Sequence, residues 1–323
     1  MSTESARSTT VAFGTGTSVL AVVTVQLLAF SISFSVGRPE LYAVFAVLSA
    51  GGLALVGGRS TFGILSTTLG TVLLVALALP LLMLVARQSP ASLLNSATDP
   101  SVQRALFLSV YAPLLSAMAA VTLGVPLAIV LARGFPGQPL VESLVDLPLV
   151  VPHSVAGLAV LFAFGRGGIL PRTRVLGTLF GMVLAMTFVS APFAVNAARE
   201  GFERVDSRVE RAARTLGADE WETFRRVTAP LAARSILTGG VLAWGRAVSE
   251  FGAVAIVAYG VSVFYPPAME RVSGVQHAPV FIYNTFLSSG LEASGSVATL
   301  LLVLCVGIFL LVRSLAYDRG GWP

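Results

Sequence analysis

From Phe62 to Ala86 the chain reads FGILSTTLGTVLLVALALPLLMLVA, without one charged residue. A run of about 18 or more apolar residues is long enough to cross a bilayer as a helix. The chain holds several such runs, and this limits it more than any other feature. Eight spans are expected, at roughly 11–34, 41–57, 62–86, 104–132, 143–165, 175–198, 232–259 and 295–316. A membrane β-barrel is excluded, because its strands alternate over about 10 residues whereas these runs are continuous. A soluble fold is excluded by composition. Charged residues make up 11% of the chain, against about a quarter in soluble domains. The expected fold is an all-α polytopic membrane protein of about eight transmembrane helices.

The opening MSTESARSTT precedes an apolar run longer than the core of a cleavable signal, about 7–15 residues. A retained anchor is expected there. All 21 basic residues are arginine, and lysine is absent. A P-loop needs its lysine on the nucleotide phosphates, and Schiff-base chemistry needs a lysine amine. Neither is available, so no cofactor is expected on this chain. Cys305, the single cysteine, lies in an apolar run and reads as a small hydrophobe. With only two histidines, His153 and His277, far apart in sequence, no metal site is expected.

Arginine counts in the connections orient the chain. With the N-terminus inside, inner segments hold 13 arginines and outer segments 7, while Arg246 lies within a span. This places both termini in the cytoplasm, in a multi-pass protein of the cell membrane. It also places there the segment from Arg199 to Arg226, which carries 14 of the 37 formal charges.

Within that segment Ser207 or Asp206 is expected to cap a helix. Val209, Ala212, Ala213 and Leu216 then share one face, and Gly217 ends it. Asp219 with Glu222 makes a capping-box pattern for a second short helix. Trp221, Phe224 and Thr228 line one side of that helix, and Pro230 closes it. Three readings compete: a basic helix on anionic lipid, a DNA-binding helix-turn-helix, or aromatic anchors for a protein partner. Tethering between two spans argues against DNA, so nucleic acid is not an expected partner. The other two remain open from spacing alone.

The same stretch, RVERAARTLGADEWETFRRVTAP, resembles the EAA loop of permease subunits of ABC importers. That pattern is Glu-Ala-Ala, three residues, Gly, nine residues, then Ile, any residue, Leu-Pro. Ala212, Ala213, Gly217 and Pro230 match it. Arg211 stands where the family has Glu, with Glu210 one residue earlier; Val227 replaces Ile and Ala229 replaces Leu. SLVDLPLVVPHSVAGLAVL (143–161), FVSAPFAVNAAREGFERVD (188–206) and AWGRAVSEFGAVAIVAYG (243–260) are similar to the core of the type I importer fold. The latter run, with APVFIYNTF (278–286), most resembles archaeal tungstate/molybdate permeases.

The resemblance implies a permease core of about six helices over residues 61–318, with a coupling loop at 199–230 and two added spans in residues 1–60. It implies a permease subunit, not an enzyme, that imports a tetrahedral oxyanion such as tungstate or molybdate. ATP and Mg would sit on a separate ATP-binding ABC subunit docked at the cytoplasmic loop. Glu210, Ala212, Ala213, Gly217, Trp221, Phe224 and Pro230 would form the coupling site. An extracellular oxyanion-binding protein, a second copy of this chain and membrane lipid complete the implied partners.

Three residues are candidates for a pathway or gate. Arg246 is the basic residue deepest in a span, and Glu250 lies one helical turn on. A mid-membrane charge costs about 2.5–3.5 kcal/mol on insertion scales, so the pair is expected to face the bundle interior. It reads either as part of a path or as an ion pair bracing helices. His153, after Pro152, either approaches the path or serves helix packing. Glu142 and Asp146 are expected to cap and pair near Arg133. A sulfate permease, an ion-driven secondary transporter and a membrane docking scaffold are the alternatives. The secondary transporter is disfavoured because its usual free intramembrane carboxylate is represented only by Glu250, which Arg246 can neutralise.

Overall fold

The computed structural model describes residues 24–56, 60–169 and 171–317. The N-terminal half of the expected first span, with the anchor reading of its start, lies outside the described residues. The helices are α1 (Thr24–Ser35), α2 (Glu40–Val56), α3 (Thr61–Ala86), α4 (Pro90–Thr98), α5 (Pro100–Arg133), α6 (Gln138–Val150), α7 (His153–Phe164) and α8 (Leu179–Glu203). They continue as α9 (Ser207–Thr215), α10 (Glu220–Thr223), α11 (Ala229–Val248), α12 (Gly252–Val257) and α13 (Ala278–Tyr317). Strands β1 (Val261–Tyr265) and β2 (Glu270–Val275) form an antiparallel hairpin.

Packing divides the chain after Arg87. In the N-terminal unit, Phe30 of α1 meets Tyr42 of α2 edge-on at 5.4 Å, and Ala46 and Val75 complete a small cluster. Within this unit α3 packs with α1 and α2.

The second unit is built on α5, α8 and α11, packed through small residues. A Cβ on Gly201 of α8 would lie 2.5 Å from Ser235 Cβ of α11. A Cβ on Gly239 would lie 3.0 Å from the Ala194 carbonyl. Close backbone approach of this kind is how helices associate in lipid, where burial against neighbours gains little over lipid itself. Gly157, Gly239 and Gly252 likewise sit against neighbouring elements, while Gly245 faces open space.

Among the described residues, four helices are long and apolar enough to span: Thr61–Ala86, Pro100–Arg133, Leu179–Glu203 and Ala278–Val312. Elsewhere the simple spans of the sequence are modified. The expected fifth span is two helices, α6 and α7, bent by 118°. The cause is Pro152: a residue preceding proline avoids the helical region, and Val151 is extended at φ −67°, ψ 129°. The expected seventh span, 232–259, stops at Val248. There the Glu250 carboxylate accepts from the Ala253 amide at 2.8 Å and starts α12 instead. The last helix begins 17 residues earlier than expected, at Ala278, and breaks at Gly290, whose φ is +85°. The connection 87–99 contains α4, capped by Ser89, which accepts from the Ser92 amide at 3.0 Å, with Pro90 in the first turn.

Candidate functional site

The charged insert is a braced hairpin of short helices at the end of α8. Asp206, not Ser207, caps α9 by accepting from the Arg208 amide at 2.8 Å. At its other end the Ala218 amide donates to the Ala213 carbonyl and the Gly217 amide to the Arg214 carbonyl. This is a Schellman closure, with Gly217 in the left-handed region at φ +91°. Asp219 caps α10 by accepting from the Glu222 amide at 2.7 Å. Glu222 does not complete the capping box in return; it pairs with Arg226 at 3.5 Å.

Pro230 does not close the segment. Residues Phe224–Thr228 form a π-helical turn that runs on into α11, and Pro230 lies in the first turn of that helix. The wider π turn suits a residue without an amide proton, because the ladder slips by one residue there.

Three long-range contacts hold the hairpin. The Thr228 hydroxyl donates to Glu210 at 2.6 Å, joining α9 to the π turn. Arg133, at the end of α5, pairs with Glu220 at 2.6 Å. Phe224 packs on Phe202 of α8 at 6.3 Å and on Trp221 at 5.7 Å. The candidate coupling residues therefore separate by direction. Phe224 faces the bundle, and Glu210 and Ala213 are half-buried. Ala212, Gly217, Trp221 and Pro230 face outward. Trp221 is 64% exposed, and Leu216 at 89% is the most exposed large apolar side chain among the described residues. Leu216 lies on the apolar face that Val209, Ala212 and Ala213 share, and it is missing from the coupling residues that the family resemblance implies. The signal was its position between the helix end and the glycine turn, where nothing of the same chain can cover it.

The three pathway candidates converge. Arg246 reaches Glu250 at 2.7 Å and also donates to His153 Nε2. Arginine only donates, so the His153 ring nitrogen is the acceptor of that contact. Glu250 uses its other oxygen on the Ala253 amide. Side-chain exposure rises from 0% at Glu250 through 17% at Arg246 to 46% at His153. The cluster thus pins the end of α11 to the break in the fifth span, with His153 on its open side. Glycine makes this approach achievable, since a Cβ on Gly252 would sit 2.9 Å from His153 Cβ.

Glu142 and Asp146 do not pair with Arg133. Because α6 packs on α8, Glu142 takes Arg199 and Gln138 as partners, and Asp146 accepts from Asn196 at 2.7 Å.

A helical membrane bundle with an aromatic-tipped insert braced against its core defines a multi-pass transport subunit. The family model described as "Binding-protein-dependent transport system inner membrane component" matches residues 120–319, and the chain belongs to this family. It is 40% identical to the molybdate/tungstate transport system permease protein WtpB of Thermococcus kodakarensis, over 77% of this chain and 94% of the relative. A probable molybdenum ABC transporter permease protein of Haloferax volcanii is 42% identical, over 78% of this chain and 89% of the relative. Among solved structures, a bacterial ABC transporter involved in the import of the acidic polysaccharide alginate matches with a TM-score of 0.59. It is 15% identical, over 80% of this chain and 96% of that one, and shares the fold.

Proposed function

We propose that this chain is the permease subunit of an ATP-driven importer for a tetrahedral oxyanion, molybdate or tungstate. The carrying observation is the braced insert, whose apolar tip at Leu216 and Trp221 is held out from the bundle. The names of the similar permeases supply the cargo. The insert docks on a separate ATP-binding subunit that holds ATP and Mg, through Ala212, Ala213, Gly217 and Trp221. Glu210 and Phe224 act there by fixing the hairpin, and Pro230, outward-facing in the first turn of α11, borders the docking face. Lysine is missing from the whole sequence, so phosphate chemistry of the P-loop kind must reside elsewhere.

The working unit is a homodimer in the cell membrane, with both termini and the insert in the cytoplasm and a binding protein on the outer face. Residues 61–318 form the permease part and 1–60 an addition. In support, the relatives are matched almost end to end while part of this chain has no counterpart. Arg246, Glu250 and His153 wall the pathway at the break between α6 and α7.

The deciding experiment is uptake into proteoliposomes holding this chain and its ATPase, with loaded binding protein outside and ATP inside. ATP-dependent tungstate uptake, reduced by molybdate but not by sulfate, is the expected result. Reduction by sulfate as well would widen the cargo class. An intact complex that moves none of the three would end the oxyanion assignment.

A further inference from the structure

The end of the bundle opposite the insert is also rich in arginine, yet those arginines are differently employed. Helix α8 is 25 residues, or about 37 Å, so the loop 165–178 before it and the insert after it lie at opposite ends. Helix α5 gives the same polarity, with Arg104 near its start on Glu270 of β2 and Arg133 at its end on Glu220 of the insert.

Two cavities open at the far end. One, of about 820 Å³, lies between α5, the start of α8 and the hairpin, and Arg174 and Arg271 line it. The other, of about 750 Å³, lies against α7 and is lined by Arg166, Arg172 and Arg174. Arg174 belongs to both walls. No acidic side chain lines either cavity. Among the described residues none of these four guanidiniums has a carboxylate partner. Tyr111 and Thr173 add hydroxyls to the walls.

Four unpaired like charges in one place repel one another, and arginine is ordinarily enriched on the cytoplasmic side of a membrane protein. A concave surface of one sign focuses its field and concentrates the opposite ion. Guanidinium is the side chain suited to an oxyanion, because its planar fork can donate two parallel hydrogen bonds.

We infer that Arg166, Arg172, Arg174 and Arg271 form an outer vestibule that receives a tetrahedral dianion before it enters the bundle, with Arg174 passing it between the two cavities. This rests on the importer reading above. The ligand is a free oxyanion, and the role is capture after release from the binding protein, not attachment of that protein.

Two experiments test it. In the proteoliposome assay, R172Q/R174Q/R271Q is expected to lower kcat for tungstate uptake roughly tenfold, in line with the focusing effects of charged clefts, with KM for loaded binding protein within about twofold of wild type. A raised KM with kcat intact would make the patch a docking surface for the binding protein and overturn the inference. In the second test the wild-type complex in detergent, without binding protein, is labelled with phenylglyoxal and modified peptides are measured. Millimolar tungstate should slow labelling at Arg172, Arg174 and Arg271 but not at Arg204, exposed at the other end, and chloride at equal ionic strength should not. Equal labelling with and without tungstate overturns the vestibule. If wild type imports no oxyanion, the importer reading fails first, and the labelling still decides whether the vestibule binds one.

Discussion

The two ends of the bundle set their arginines in different surroundings. At the insert, Arg133 and Arg199 tie helices together through Glu220 and Glu142, and Arg204 and Arg226 pair within one turn. Arg208, Arg211, Arg214 and Arg225 have no carboxylate partner among the described residues and line no cavity described above. At the far end one pair, Arg104 with Glu270, holds the hairpin, and four arginines stand open to two cavities. Between them half-buried Arg246 pairs with buried Glu250. Charge that is paired fixes a shape; charge left unpaired in a cleft creates a potential. In the proposed importer, one end transmits motion from the ATPase and the other attracts the anion.

The largest effect should come from the buried pair. Glu250→Ala strands Arg246 without its carboxylate and removes the acceptor for the Ala253 amide, for an expected loss of about 3–5 kcal/mol. Thermal unfolding of the purified chain should drop sharply. Arg246→Ala is expected to impair uptake more than assembly. If its complex cannot be purified, the cluster is a brace and not a pathway wall.

Trp221→Ala comes next. An exposed aromatic anchor of a docking helix typically contributes about 2 kcal/mol or more to partner binding, roughly thirtyfold in affinity for the ATPase. The melting temperature of the isolated chain should hardly change. Equal losses in both measurements would show that Trp221 supports the hairpin itself.

Gly201→Val forces a side chain into the α8–α11 crossing, and overpacking of this kind costs about 1–3 kcal/mol. A variant as stable as wild type would mean that the two helices separate easily, which would weaken the picture of a rigid lever behind the insert.

The smallest effect belongs to the exposed pairs. Arg204→Ala, which breaks the contact with Glu200, should change stability by about 1 kcal/mol or less, and raised salt should erase the difference. A loss of several kcal/mol there would break the distinction between buried and exposed pairing.

What the sequence made legible was local or compositional. Apolar runs defined the membrane class without reference to any partner. Asp206, Gly217 and Asp219 could be placed because each bonds within a few residues of itself, so the insert emerged nearly as expected. Pro152 carried the signal for the broken fifth span, although continuous hydrophobicity across it concealed the break. Pro230 misled, because a proline reads as a terminator unless the π turn before it is seen.

The tertiary structure alone decided everything that depends on distant residues meeting. Thr228 on Glu210, Arg104 on Glu270 and Arg246 on His153 join positions 18, 166 and 93 residues apart. Neither periodicity nor composition encodes such pairs. In a membrane helix the lipid-facing side is as apolar as the packed side, so the hydrophobic pattern that orients a helix in water says little here about which face meets which neighbour. The sequence determined that the chain crosses a membrane and carries a capped insert. Packing decided which arginines are paired and which are left open, because pairing is a matter of distance, and distance is set by the fold.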